Sequence, residues 1–319
     1  DQISVAVTRR LPDAVENRLS ELFDVKLRDS DGPMTRAELA QAVKTADVLV
    51  PTVTDRIDAA LLAQAGPRLK LLANFGAGID HIDVDTARQR GILVSNTPGV
   101  LTDDTADMVM ALMLSVTRRI PEGLAVMQSG DWTGWAPTAF LGGRLGGRRL
   151  GILGMGRIGQ AVARRAAVFG MQIHYHNRKR LPQEQECEAV YHREIEELFK
   201  VSDFLSLHCP ATKITRDLIN EKTIDLMPDD AVIVNAARGS LIGEDALIRA
   251  LSSGKISGAG LDCFVKEPGG NPKFSELKNV FMLPHIGSAT AKTRDAMGFR
   301  ALENLDAFFS GQNPVDQIF

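Results

Sequence analysis

Arg149-Leu150-Gly151-Ile152-Leu153-Gly154-Met155-Gly156-Arg157-Ile158-Gly159, with Gln160-Ala161-Val162-Ala163-Arg164-Arg165-Ala166 after it, decides the reading of this chain. An apolar run ends in three spaced glycines, and helix formers with apolar residues at helical spacing follow. The pattern predicts strand, tight turn, helix. Gly154 permits the turn, Gly156 leaves no side chain in the way of a pyrophosphate, and Gly159 lets the helix lie close on its strand. The helix N-terminus then aims backbone N–H groups and partial positive charge at the phosphates. Spaced glycines alone would fit any strand–helix turn. The second apolar run at 171–175 supplies the strand–helix–strand context that the motif needs.

Outward from that motif, the composition sets limits. The chain has 319 residues, 44% of them hydrophobic and 24% charged, which suits a soluble protein of one large or two medium domains. A net charge of −3 gives no global pull toward nucleic acid or an anionic membrane. Cys187, Cys209 and Cys263 are scattered, odd in number and without metal-ligand spacing. No disulfide framework and no metal are expected, and a reducing, cytoplasmic setting is the default. No apolar run reaches membrane-spanning length, and Asp1-Gln2-Ile3-Ser4-Val5 passes straight into a strand pattern.

Before the motif, strands are expected near 3–8, 25–27, 47–52, 69–75 and 92–95. Helices at 12–22, 35–46, 58–64 and 85–89 alternate with them. Thr35-Arg36-Ala37-Glu38 reads as a capping box. Alternation without hairpin signals predicts a parallel sheet covered on both faces. A helix over 102–118 is apolar around much of its circumference and should be buried on several sides, between domains or subunits. The loop 130–137 holds both tryptophans. A second α/β unit covers about 149–285, with strands near 171–175, 204–207, 231–235, 258–261 and 280–283. A last helix at 290–309 finds no strand partner and is expected to return to the first unit.

Three ionisable residues follow strand ends in the second unit: Arg238 after 231–235, Glu267 after 258–261, and His285 after 280–283. Ligands in open α/β sheets sit at the carboxyl ends of strands. Singly these residues read as a surface charge, a loop carboxylate and a turn histidine. Together on one sheet edge, beside a nucleotide motif, they point to a catalytic site.

The resemblance is carried by Gly154-Met155-Gly156-Arg157-Ile158-Gly159, Asn235-Ala236-Ala237-Arg238-Gly239, Asp262-Cys263-Phe264-Val265-Lys266-Glu267-Pro268 and Pro284-His285-Ile286-Gly287-Ser288-Ala289-Thr290. With Phe75-Gly76-Ala77-Gly78-Ile79-Asp80, these stretches resemble the D-isomer-specific 2-hydroxyacid dehydrogenases over nearly the whole chain, and within them the glyoxylate/hydroxypyruvate reductases. The resemblance implies two doubly wound parallel-sheet domains: a Rossmann nucleotide domain at 100–286, and a flavodoxin-like substrate domain at 1–99 and 287–319. It implies an enzyme that reduces a small 2-oxo acid with a nicotinamide cofactor. Arg238 would anchor the carboxylate and polarise the carbonyl. His285 would protonate the carbonyl oxygen, and Glu267 would orient the imidazole and favour its charged form. The N–H groups of Ala77 and Gly78 would bind the carboxylate. Trp135, on an arm in a homodimer, would reach the neighbouring subunit's pocket, or else simply pack there.

The same resemblance extends to the cofactor. Arg157 and Ile158 would contact pyrophosphate and adenosine, and Cys209, Pro210 and Thr215 would line the adenosine side. Ala236, Ala237, Arg238 and Asp262 would flank the nicotinamide, with Asp262 accepting from its carboxamide. Gly287 and Ser288 would complete that end, and Thr105 would reach it from the long helix. An NAD site usually ends its second strand with an acid for the ribose hydroxyl. Here the sequence is Asn177-Arg178-Lys179-Arg180. Three cations would welcome a 2′-phosphate, so NADP(H) is favoured, with NAD(H) possible through Asn177. Rival readings are a formate or phosphoglycerate dehydrogenase, and a dinucleotide-sensing corepressor of the same fold.

Overall fold

The computed structural model describes residues 3–319, so Asp1 and Gln2, which precede the first expected strand at 3–8, lie outside the described residues. The chain divides into two compact units, Asp1–Leu101 with Ser288–Phe319, and Thr102–Gly287. The division falls one or two residues from the expected limits. Gly287 goes with the second unit, where its N–H donates to Asp262.

The first unit alternates β1 (Ser4–Val7), α1 (Asp13–Leu22), β2 (Asp24–Lys26), α2 (Arg36–Thr45), β3 (Val48–Val50), α3 (Ala59–Leu62), β4 (Leu71–Ala73), α4 (Val84–Gln89) and β5 (Leu93–Ser95). The sheet order is β2-β1-β3-β4-β5, all parallel. Thr35 and Glu38 form the capping box that opens α2.

The second unit begins with α5 (Thr102–Thr117) and α6 (Ile120–Ser129). Helix α6 is absent from the expected elements, and its segment carries Pro121 and Gly123, which are unfavourable in a helix interior. Pro121 instead sits in its first turn, where a proline loses no helical hydrogen bond, and Gly130 closes it in the left-handed conformation (φ 76°). Then come β6 (Arg149–Leu153), α7 (Arg157–Val168), β7 (Gln172–His176), β8 (Val190–Tyr191), α8 (Ile195–Val201), β9 (Phe204–Leu207), α9 (Glu221–Leu226), β10 (Ala231–Asn235), α10 (Glu244–Ser253), β11 (Ile256–Leu261) and β12 (Val280–Met282). The order β12-β11-β10-β9-β6-β7-β8 is wholly parallel and reverses direction between β6 and β9. That switch point is where a doubly wound sheet opens a ligand crevice.

Helix α5 packs on α7 and on β10, β11 and β12. Gly258 and Gly260 explain the closeness: a Cβ on Gly260 would lie 2.9 Å from the Leu112 Cβ. Val109, Leu112 and Met113 are fully buried there. The last helix, α11 (Ala291–Phe309), belongs to the first unit and packs on α1, with Gly298 against Val15. Beyond it, Gln317 bridges Ser95 antiparallel to β5.

Candidate active site

The β6–α7 turn has the form its glycines require. Gly154 is left-handed (φ 97°), and a Cβ there would lie 2.6 Å from the Cys209 backbone nitrogen across the switch point. A Cβ on Gly159 would lie 2.5 Å from the Gly154 carbonyl oxygen, whereas one on Gly156 would meet nothing within 4 Å. Gly156 is the N-cap of α7 and gives its first turn no side-chain acceptor. The N–H groups of Arg157, Ile158 and Gly159 therefore lie at a helix end suited to phosphate oxygens. Thr215 ties the adjoining loop together by donating to the Pro210 carbonyl (2.8 Å) and accepting from Thr212 N–H (2.8 Å). Burial pushes the Cys209 thiol up to about 11, which leaves it protonated and unreactive.

At the end of β7, Asn177 Oδ1 accepts from Met155 N–H (2.7 Å), and the Asn177 carbonyl accepts from Tyr191 (3.3 Å). The side-chain oxygen expected at a ribose hydroxyl is thus engaged in holding the glycine turn. Arg180, expected among three phosphate cations, donates instead to Glu186 through Nε (2.7 Å) and Nη2 (3.1 Å). Glu186 also accepts from Tyr175 (2.5 Å). Hydrogen bonds from Arg180 and Tyr175 hold the Glu186 carboxyl below its usual range. Burial and Glu186 together push the Tyr175 phenol up to about 12. Arg178 and Lys179 are exposed, as is Arg180 despite its bond to Glu186.

The loops after β10, β11 and β12 bring Arg238, Glu267 and His285 together. Asn235 is fully buried and shapes the first loop, accepting from Ala237 N–H (3.0 Å) and donating to the Arg238 carbonyl (2.9 Å). Gly239 abuts the Phe264 backbone so closely that a Cβ would overlap the carbonyl carbon. This approach presses the Arg238 loop against the loop that carries Glu267. Glu267 Oε1 accepts from Phe264 N–H (2.9 Å), and Oε2 lies 2.8 Å from His285 Nδ1. Burial pushes the Glu267 carboxyl up, but the His285 bond and the nearby Arg238 charge outweigh it and hold it below its usual value.

His285 takes a left-handed backbone (φ 56°). The next two N–H groups, of Ile286 and Gly287, donate to Asp262 Oδ1 (2.8 Å) and Oδ2 (2.7 Å). Asp262 is buried, which raises its carboxyl despite these bonds. Its visible work is to fix the turn that presents His285. Thr105 is buried beside this turn: a Cβ on Gly287 would lie 3.7 Å from its hydroxyl oxygen. Sequence reasoning missed Asn235, Gly239 and the anchoring role of Asp262, although Gly239 directly after Arg238 was a visible signal.

In the first unit, Phe75-Gly76-Ala77-Gly78 forms the turn after β4, at the carboxyl edge of its sheet. Ala77 and Gly78 are partly exposed. The Ser288 hydroxyl accepts from Arg294 Nε (3.0 Å). Trp135 is 84% exposed. Among the described residues, no cluster of three or more His, Cys, Asp or Glu is placed to hold a metal ion, and no helix is long and apolar enough to cross a membrane.

Residues 110–287 match the model of the D-isomer specific 2-hydroxyacid dehydrogenase, NAD binding domain. The chain is 45% identical to a glyoxylate reductase of Thermococcus litoralis, over 98% of this chain and 96% of that one. It is 34% identical, with a TM-score of 0.90, to the crystal structure of a glyoxylate reductase from Paecilomyes thermophila, covering 99% and 98% of the two chains. An NADPH-dependent glyoxylate/hydroxypyruvate reductase of Sinorhizobium meliloti, solved with NADP and malonate, is similar at 32% identity and a TM-score of 0.90, covering 100% and 97%.

Proposed function

The chain belongs to the D-isomer-specific 2-hydroxyacid dehydrogenases, and from that membership we propose that it reduces glyoxylate, hydroxypyruvate or a close 2-oxo acid to the 2-hydroxy acid. The observation that carries the assignment of roles is the 2.8 Å bond between His285 Nδ1 and Glu267 Oε2, with Arg238 on the adjoining loop. A bound nicotinamide supplies the hydride to the carbonyl carbon. His285, with Nδ1 turned to the carboxylate, gives the proton to the carbonyl oxygen from Nε2. Glu267 orients the ring and stabilises the charge it carries before transfer. Arg238 and the N–H groups of Ala77 and Gly78 take the substrate carboxylate. The bare cap of α7 and the open space at Gly156 suit a dinucleotide pyrophosphate. Thr105, Ala236, Ala237, Asp262, Gly287 and Ser288 are the nicotinamide side of this reading, and Cys209, Pro210 and Thr215 the adenosine side.

NADP(H) is the favoured cofactor, supported by the exposed Arg178 and Lys179 and by the lack of an acid at position 177. The working form is a homodimer. Helix α6 buries none of its residues, and Ile120, Leu124, Met127, Trp132, Trp135 and Leu141 are all exposed on it or on the arm that follows. So much apolar surface fits a second copy of the chain. The three free cysteines suit a reducing, cytoplasmic setting. The test is loss of reduced-cofactor absorbance with a panel of 2-oxo acids and both cofactors. Turnover of glyoxylate, with a higher kcat/KM for NADPH, is expected. Cofactor affinity without turnover on any member would overturn the enzymatic reading.

A further inference from the structure

The turn after β4 carries its own orienting apparatus. Asn74 is 1% exposed and spends its side chain on that turn: Nδ2 donates to the carbonyls of Gly76 (3.0 Å) and Gly78 (2.9 Å). The Gly76 carbonyl also accepts from Thr97 N–H (3.0 Å). Asn96 Nδ2 donates to the Ala77 carbonyl (2.8 Å). Three successive carbonyls are therefore drawn toward asparagine amides. In a trans peptide the C=O and the next residue's N–H point opposite ways. Holding the Gly76 carbonyl fixes the Ala77 N–H outward, and holding the Ala77 carbonyl does the same for the Gly78 N–H. Among the described residues, no group accepts from either N–H.

The asparagines are themselves held. His81 Nε2 lies 2.8 Å from Asn74 Oδ1, so a proton on Nε2 pins the amide with its NH2 toward the turn. Asn304, buried on α11, donates to the Asn96 carbonyl (3.1 Å) and accepts from Asp316 N–H (2.8 Å). The anchoring thus runs back to the C-terminal helix of the same unit.

We propose that Asn74 and Asn96 are positioning residues for the substrate carboxylate, holding the Ala77 and Gly78 N–H groups in place as a preformed anion-binding pair, with His81 locking Asn74. The inference rests on the reading above in which this turn takes the carboxylate. Donors fixed before binding lose little freedom when the anion arrives, so they favour a carboxylate over its neutral ester.

The experiment compares glyoxylate with methyl glyoxylate at saturating NADPH, in the parent, Asn74→Ala and Asn96→Ala enzymes, with thermal melts alongside. The parent is expected to prefer the acid. Both variants should raise the KM for glyoxylate about tenfold or more, lower kcat less, leave the KM for NADPH unchanged, and reduce the acid-over-ester preference by a similar factor. Asn96→Ala withdraws one bond and leaves those of Asn74 in place, so it reports independently if Asn74→Ala fails to fold. Folded variants that keep the parent's acid-over-ester ratio would overturn the positioning role and leave the carboxylate site standing. A parent enzyme with no preference for the acid would overturn the carboxylate reading itself, and this inference with it.

Discussion

Glu267 Oε2 lies 2.8 Å from His285 Nδ1, and in the proposed reaction that bond decides which ring nitrogen faces the substrate. With Nδ1 committed, Nε2 is left to donate to a substrate oxygen. His285→Ala should lower kcat/KM for glyoxylate by roughly 10²–10⁴-fold and leave the cofactor dissociation constant near the parent's. Glu267→Gln should lower kcat by about 10²-fold, because an amide neither stabilises the imidazolium nor fixes the ring as well. The pH dependence follows from the depressed Glu267 carboxyl. Its contribution to stability and to orienting the ring is complete above the ordinary carboxylate value of 4.5, and it is lost as pH falls through the lower folded value. In the parent, the activity loss owed to this group should lie below pH 4.5, and it should vanish from the Glu267→Gln profile. A variant with the parent's kcat would remove Glu267 from the mechanism.

Asp262 holds two consecutive N–H groups just after His285. Asp262→Asn keeps an acceptor for one and turns a donor toward the other. A buried donor left facing a donor costs about 1–3 kcal/mol. We expect a lower melting temperature and a fall in kcat larger than any rise in the glyoxylate KM, since the turn presenting the imidazole is what loosens. An Asp262→Asn enzyme that melts like the parent and turns over at its rate would show that the two bonds do not anchor that turn.

Much of the molecule can be read from local pattern. The spacing of Gly154 and Gly159 carries a backbone requirement that the structure shows at both positions, whereas Gly156 meets no protein atom. The alternation of strand and helix gave the two parallel sheets, and Thr35 with Glu38 gave a cap. What escaped reading depends on which partner a side chain takes once the chain is folded. Asn235 reads as the end of a buried strand until its amide meets the Arg238 loop, and Asp262 reads as a cofactor contact until the turn after β12 folds against it. Arg180 looks like a free cation until Glu186 folds back onto it. Helix α6 has no buried face, so no inward periodicity marks it.

The Arg180–Glu186 pair divides the basic turn into two functions. Arg178→Ala should cut the NADPH-over-NADH preference about tenfold, chiefly through a higher KM for NADPH, since a charge-assisted contact to a phosphate is worth about 1.5–3 kcal/mol. Arg180→Ala should act differently. It removes two hydrogen bonds from a carboxylate that also holds Tyr175, so it should loosen the loop and weaken both cofactors together. Steady-state kinetics with both cofactors separates these outcomes. A selective NADPH loss in Arg180→Ala alone would reverse the assignment.

The exposed face of α6 makes a prediction about assembly. Leu124 and Met127 are 54% and 61% exposed on a helix with no buried residue. If a second copy covers them, Leu124→Asp places a charge in an apolar interface and should shift the protein toward monomer in light scattering. A protein that is monomeric before the substitution would end this reading.

The glycine turn offers a test that separates folding from binding. A Cβ on Gly159 would lie 2.5 Å from the Gly154 carbonyl oxygen, a rigid neighbour, whereas one on Gly156 would meet nothing within 4 Å. The Gly156 backbone is not left-handed (φ −84°), so alanine fits it without strain. Gly159→Ala should therefore destabilise the fold by about 1–3 kcal/mol, as overpacking does. Gly156→Ala should melt like the parent and yet bind NADPH at least about tenfold more weakly, because its methyl group would occupy the approach of the pyrophosphate. Thermal melts and fluorescence titration with NADPH measure the two effects separately. Full cofactor affinity in Gly156→Ala would mean that the pyrophosphate does not approach the chain at this turn.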